Sequence, residues 1–153
     1  MVDNLFSKIQ PYGAVILRLG MGLVFVCFSY YQFRNPSMWT SFVPQSVSGL
    51  LGGNATMLVL LNAWFELVAG LMLIAGFQVR TVSLLLAAHL FGIAGTIGIS
   101  PLGVRDLGLS IATFSVFLAG PDIWSLDRYF LNKVDMKAPP SSAPAIRLPV
   151  RRI

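Results

Sequence analysis

A chain of 153 residues that is 56% hydrophobic and only 11% charged, with a mean hydropathy of +0.75, is far from a soluble domain, where about 25% of residues carry charge. Its formal charge of +5 does not point to nucleic acid: the basic residues fall between and after apolar runs, as the loop charges of a membrane protein do. Cys27 is the single cysteine, which excludes a disulfide or a cysteine-ligated cluster within the chain.

Residues 1–12 read as a short polar lead on the cytoplasmic side, with Asp3, Lys8 and Pro11. The first span is expected from about 13 to 33. About 20 helical residues at 1.5 Å each cross about 30 Å of hydrocarbon. This run ends in the bulky SYYQF with no small-x-small site after it, so it reads as a retained helix and not a cleaved signal. Tyr30 and Tyr31 suit an aromatic belt at the interface. Residues 34–54 carry Pro36, Pro44, Gly49, Gly52 and Gly53 and read as a loop at the membrane surface, with a helical turn after Pro36. Trp39 lies on its apolar side and is a candidate for docking a partner or lipid.

A second span is expected over about 55–76. A short connection around Gln78 and Arg80 turns the chain back into a third span over about 81–100. Pro101 and Gly103 mark the next turn, and a fourth span follows over about 104–120. Residues 121–134, PDIWSLDRYFLNKV, alternate apolar and charged side chains and read as an amphipathic segment on the interface, with Trp124 a docking candidate. The tail 135–153 is Pro-rich and basic, and Arg147, Arg151 and Arg152 suit contact with a partner or with lipid headgroups.

The expected fold is therefore all-α: a polytopic integral membrane four-helix bundle. Lys8, Arg80, Arg128, Lys133, Lys137, Arg147, Arg151 and Arg152 fall on the side of the termini, against Arg34 and Arg105 on the other. That asymmetry places both termini in the cytoplasm.

Five ionisable residues within or at the edges of these spans stand out: Glu66, His89, Arg18, Arg105 and Asp106. A charge at mid-bilayer costs about 2.5–3.5 kcal/mol on insertion scales, so such groups face the bundle interior. Glu66 lies near the middle of the second span, with Asn62 and Gly70 one turn away on either side, and His89 lies in the third. Two readings stand for Glu66 and His89: a hydrogen-bonding pair that binds a polar head group or passes protons, or mutual glue between two helices. Arg18 either pairs with Glu66 or snorkels to the near interface. Arg105 and Asp106 form an outer polar cluster at the start of the fourth helix, where an acidic group caps the N-terminus or, with the NPSMW loop, forms a gate. Ala88, Gly92 and Thr96 have small-xxx-small spacing, which reads as close helix packing. One histidine gives no bis-His haem ligation, and no metal-ligand set appears.

The stretches LRLGMGLVFVCFSYYQFRNPSMW at 17–39, ELVAGLMLIAGFQVRTVSLLLAAHL at 66–90 and GVRDLGLSIATFSVFLAGPDIWSLD at 103–127 resemble the DoxX family of small four-helix prokaryotic membrane proteins. Many members carry a lysine near the end of helix one, where this chain has Gln32 and Arg34. The resemblance implies a prokaryotic inner-membrane subunit of an oxidoreductase complex, such as the small membrane subunit of thiosulfate:quinone oxidoreductase. Such a subunit anchors a partner and offers a quinone site around Glu66, His89, Arg18 and Asn62; a quinone needs donors to its carbonyls and a proton route. Two alternatives remain: a structural or assembly subunit with no chemistry of its own, whether among other subunits or as a homo-oligomer, and a small oligomeric transporter or proton-linked channel. In the redox reading the chain is a non-catalytic subunit and not a stand-alone enzyme.

Overall fold

Within a bilayer every backbone polar group must be satisfied inside the chain, so long apolar runs resolve into helices. The computed structural model describes residues 2–49 and 52–135 and places four helices long and apolar enough to cross a membrane. These are α1 (Val2–Arg34), α3 (Ala55–Ala75), α4 (Val79–Ile97) and α5 (Pro101–Ala119), with a short α2 (Gln45–Ser48) in the first loop and α6 (Leu126–Asp135) after the last span. Large apolar side chains such as Ile16, Leu23, Val68, Leu85, Phe91, Ile111 and Leu118 lie exposed on the outside. An apolar exterior of that extent suits lipid.

The helix boundaries follow local chemistry. The polar lead is not a separate segment: α1 begins at Val2 and runs through Pro11, whose fixed φ is helical even though it donates no hydrogen bond. The loop turns once as a 3₁₀ helix at Pro36–Met38 and again at Thr40–Phe42. Asn54 caps α3 by accepting from Met57 N at 3.0 Å. At its other end Gly76, left-handed at φ 71°, closes the helix with Gly76 N donating to Leu73 O and Phe77 N to Met72 O. The cap of α5 is Ser100, whose hydroxyl accepts from Gly103 N at 3.0 Å, with Pro101 next in the chain. Asp106, expected as a cap, lies more than a turn inside the helix instead.

The helices pack as two antiparallel pairs, α1 on α3 and α4 on α5, joined by lighter contact between α1 and α5 and between α3 and α4. Gly22 and Gly70 let the first pair approach closely: a Cβ on either would lie 3.0 Å from the other's carbonyl oxygen. In the second pair Ser110 donates to Ala87 O at 2.9 Å. The core gathers Phe25, Leu73, Val79, Val82, Leu86 and Val116, residues from the half of the bundle near the α3–α4 turn. The half nearer residues 35–49 is less filled, and that is where the cavity described below lies.

Candidate functional site

Arg18 does neither of the things its sequence position suggests. It is 1% exposed, so it does not snorkel, and its partner is Asp122, not Glu66. The guanidinium donates from Nε to Asp122 Oδ2 at 2.6 Å and from Nη2 to Oδ1 at 3.2 Å. Nη1 donates to the carbonyls of Leu73 and Ile74 at 2.7 and 2.6 Å. These carbonyls lie in the last turn of α3, where a cation is favoured. Asp122 in turn accepts from Trp124 N at 2.9 Å. The next residues complete a clasp: Asp127 N donates to Gly76 O at 3.0 Å, and the Asp127 carboxylate accepts from Gln78 N and Val79 N at 2.8 and 2.7 Å. That carboxylate caps α4 from a distant part of the chain and supports Gln78 in its left-handed conformation (φ 51°). Arg18 is thus a structural residue of the end that carries the α3–α4 turn.

The mid-depth site is built by α1, α3 and α4. Glu66 lies about 16 Å along α3 from one end and about 14 Å from the other at the helical rise. It is 3% exposed. Its Oε2 accepts from Gln32 Nε2 at 2.6 Å, and Asn62 Nδ2 donates to Gln32 Oε1 at 2.9 Å. Gln32, on the last turn of α1, is therefore a site residue that the sequence reading left out of its set. Its amide uses both ends, donating to a carboxylate and accepting from an amide. Across the seam, His89 Nε2 lies 3.5 Å from Glu66 Oε1, a separation beyond hydrogen-bond geometry. That nitrogen is buried and has no hydrogen-bond partner among the described residues. Phe65 meets the imidazole edge-on with centroids 5.0 Å apart, which holds the ring in place.

Glu66 and His89 line a cavity of about 1130 Å³ together with Gln32 and Asn62. Its walls are mainly apolar and aromatic, with Phe28, Trp39 and Phe42 on the side of the loop, and Arg34, Arg105 and Asp106 also lie along it. Asp106 is 4% exposed and accepts from Arg105 Nε at 2.8 Å. The Arg105 guanidinium lies 4.8 Å from the centroid of the Phe28 ring, a cation–π contact joining α5 to α1. The cavity thus has a polar floor at mid-depth, apolar walls and a charged pair farther out. Its volume lies just above the usual range of small-molecule sites, about 300–1,000 Å³.

Among the described residues, Ala88, Gly92 and Thr96 are not buried between helices of this chain. All three are exposed, all three line the cavity, and a Cβ on Gly92 would meet nothing within 4 Å. Trp39 packs edge-on against Phe28 and Phe42 and lines the cavity. Trp124 is 63% exposed and meets Tyr12 edge-on at 5.9 Å. Arg147, Arg151 and Arg152 lie outside the described residues.

The arrangement is that of a multi-pass membrane protein with a polar site sunk between helices. A family model, DoxX, matches residues 13–99, which include α3, α4 and the floor residues Gln32, Asn62, Glu66 and His89. No curated protein and no solved structure matches the chain. The match covers more than half of the sequence and, with the four apolar helices, it establishes that this chain belongs to the DoxX family.

Proposed function

We propose that this DoxX-family membrane protein is a subunit of a membrane oxidoreductase complex and holds a quinone-class molecule against His89 and Glu66. The observation that carries this reading is the buried His89 Nε2, which has no hydrogen-bond partner among the described residues, on a residue that lines a large, mainly apolar cavity. Buried polar atoms in folded proteins are nearly always satisfied, and an orphan calls for a cause such as a ligand. Glu66 Oε1 faces it at 3.5 Å, beyond hydrogen-bond geometry, while Gln32 engages Oε2.

A quinone ring is flat and apolar with two carbonyl acceptors, and the site offers matching groups. His89 Nε2 donates to one carbonyl oxygen, and Glu66, positioned by Gln32 and Asn62, supplies or accepts a proton one hydrogen-bond length away. Phe28, Trp39 and Phe42 supply apolar wall. Reduction to the quinol takes two electrons and two protons; in this reading the electrons come from a redox partner subunit and the protons pass through Glu66. The excess of Lys and Arg around the termini supports a cytoplasmic position for that end in a prokaryotic cell membrane. The cavity then lies in the outer half of the bilayer.

Trp39 provides the test. Trp64 and Trp124 do not line the cavity, so a Trp64→Phe/Trp124→Phe chain keeps one tryptophan beside it. In phospholipid nanodiscs a short-chain benzoquinone quenches Trp39 saturably. His89→Leu raises the apparent Kd by about tenfold, the value of one hydrogen bond near the top of its usual range, and Glu66→Gln acts in the same direction. Linear, collisional quenching untouched by both variants contradicts the reading. A second reading, an assembly subunit without chemistry of its own, is favoured by the Gln32–Glu66 and Asn62–Gln32 hydrogen bonds, which tie α1 to α3 with no ligand; it expects that unaffected result.

A further inference from the structure

The cavity has a side as well as a floor. From His89, Gly92 and Thr96 carry the same face of α4 toward the end of the bundle that holds residues 35–49, at the i+3 and i+7 positions of a helix. Both line the cavity while remaining exposed. An opening of the cavity through the flank of the bundle exposes both residues in this way. The seam between α3 and α4 is thinly packed, and Gly92 contributes no side chain to close it. A Cβ there would meet nothing within 4 Å, so no contact within the bundle requires glycine at this position.

We infer that this window admits a chain-bearing lipophile sideways from the bilayer, its head at His89 and its hydrocarbon chain lying over Gly92 and Thr96. The inference rests on the ligand reading above and adds to it the class of molecule and its route. An apolar chain in the window stays among lipid-facing surface and sheds no water, whereas the polar head finds its hydrogen bonds only at the floor. A second copy of the chain packing on these small residues is the competing use of the same face. The face does not end flat, however. It leads inward to a buried imidazole nitrogen with no hydrogen-bond partner among the described residues, and a packed helix, about 10 Å across, leaves that atom unsatisfied.

The test compares two ligands on the single-tryptophan chain in nanodiscs: a benzoquinone with no side chain and the same ring bearing a decyl chain. In Gly92→Leu the Kd for the decyl compound rises about tenfold, because the leucine side chain takes the space of the hydrocarbon chain, while that for the chainless ring stays within about twofold. Thr96→Leu shifts the decyl compound in the same direction and guards against a folding defect peculiar to position 92. Gly95→Leu, on an exposed residue outside the cavity, changes neither value. If the wild-type protein binds neither ring, the quinone reading itself fails and the window fails with it. If both rings bind but Gly92→Leu leaves the decyl compound unaffected, the window alone is overturned. Loss of self-association in Gly92→Leu, with decyl affinity unchanged, assigns the face to a second copy and overturns the inference too.

Discussion

Arg18→Met lowers the stability of the folded bundle by about 3–5 kcal/mol, the loss seen when one partner of a buried ion pair is removed. The substitution keeps the length and apolar stem of the side chain, so packing changes little and the loss is mainly electrostatic. It strands the Asp122 carboxylate, 6% exposed, with Trp124 N as its remaining donor, and it deprives the Leu73 and Ile74 carbonyls of the guanidinium. Arg18→Lys fails to restore the fit, because an ammonium cannot reproduce the planar fork that reaches a carboxylate and two carbonyls at once. Replacing both partners, Arg18→Met with Asp122→Leu, recovers much of the loss, since removing a buried pair together is far less costly than orphaning one member. Unfolding titrations in SDS, followed by circular dichroism, measure this. An Arg18→Met midpoint equal to that of the wild type contradicts the ion-pair assignment.

Gly76→Ala destabilises the same end of the molecule through the backbone. Gly76 holds φ 71°, where an L side chain costs about 1–2 kcal/mol. A Cβ there would also lie 2.5 Å from Ser125 Cα and 2.7 Å from Ser125 Cβ, and overpacking of that kind adds about 1–3 kcal/mol. The neighbouring atom is backbone and cannot rotate away, so residues 122–128 must lift from the α3–α4 turn. That in turn weakens the Asp127 cap on Gln78 and Val79. The expected result is an SDS midpoint lowered by an amount similar to that of Arg18→Met, with earlier proteolysis after Pro121 than in the wild type. Unchanged protease sensitivity would count against the clasp.

The four helices were legible because a bilayer leaves an apolar run of about 20 residues few other structures. The mid-depth position of Glu66 was legible for a related reason: a carboxylate in such a run has to turn inward. The extent of α1 was not, because Pro11 and the polar residues before Gly13 look like an ending when they in fact lie within a helix. Arg18 illustrates the limits of reading one helix at a time. Its partner Asp122 is 104 positions away in a segment whose apolar and charged alternation suggests a surface helix, and nothing local links the two. A signal was available, since Asp122 follows the Gly120–Pro121 turn and an arginine inside a span needs a carboxylate at its own depth. Gln32 shares the Arg18 face of α1, and only the packing of α1 on α3 brings it to Glu66. The small residues of α4 were legible only as a face. Spacing identifies a face with little bulk, but a thin face can border another helix or an opening, and periodicity is the same for both.

The most direct measurement is native mass spectrometry of the protein extracted gently from its own membrane, with bound lipophiles identified in parallel. Binding at the His89–Glu66 floor predicts one quinone-class molecule per chain in the wild type and its loss in His89→Leu, with the bundle still folded. Wild-type and His89→Leu proteins that carry the same lipids and no quinone contradict it.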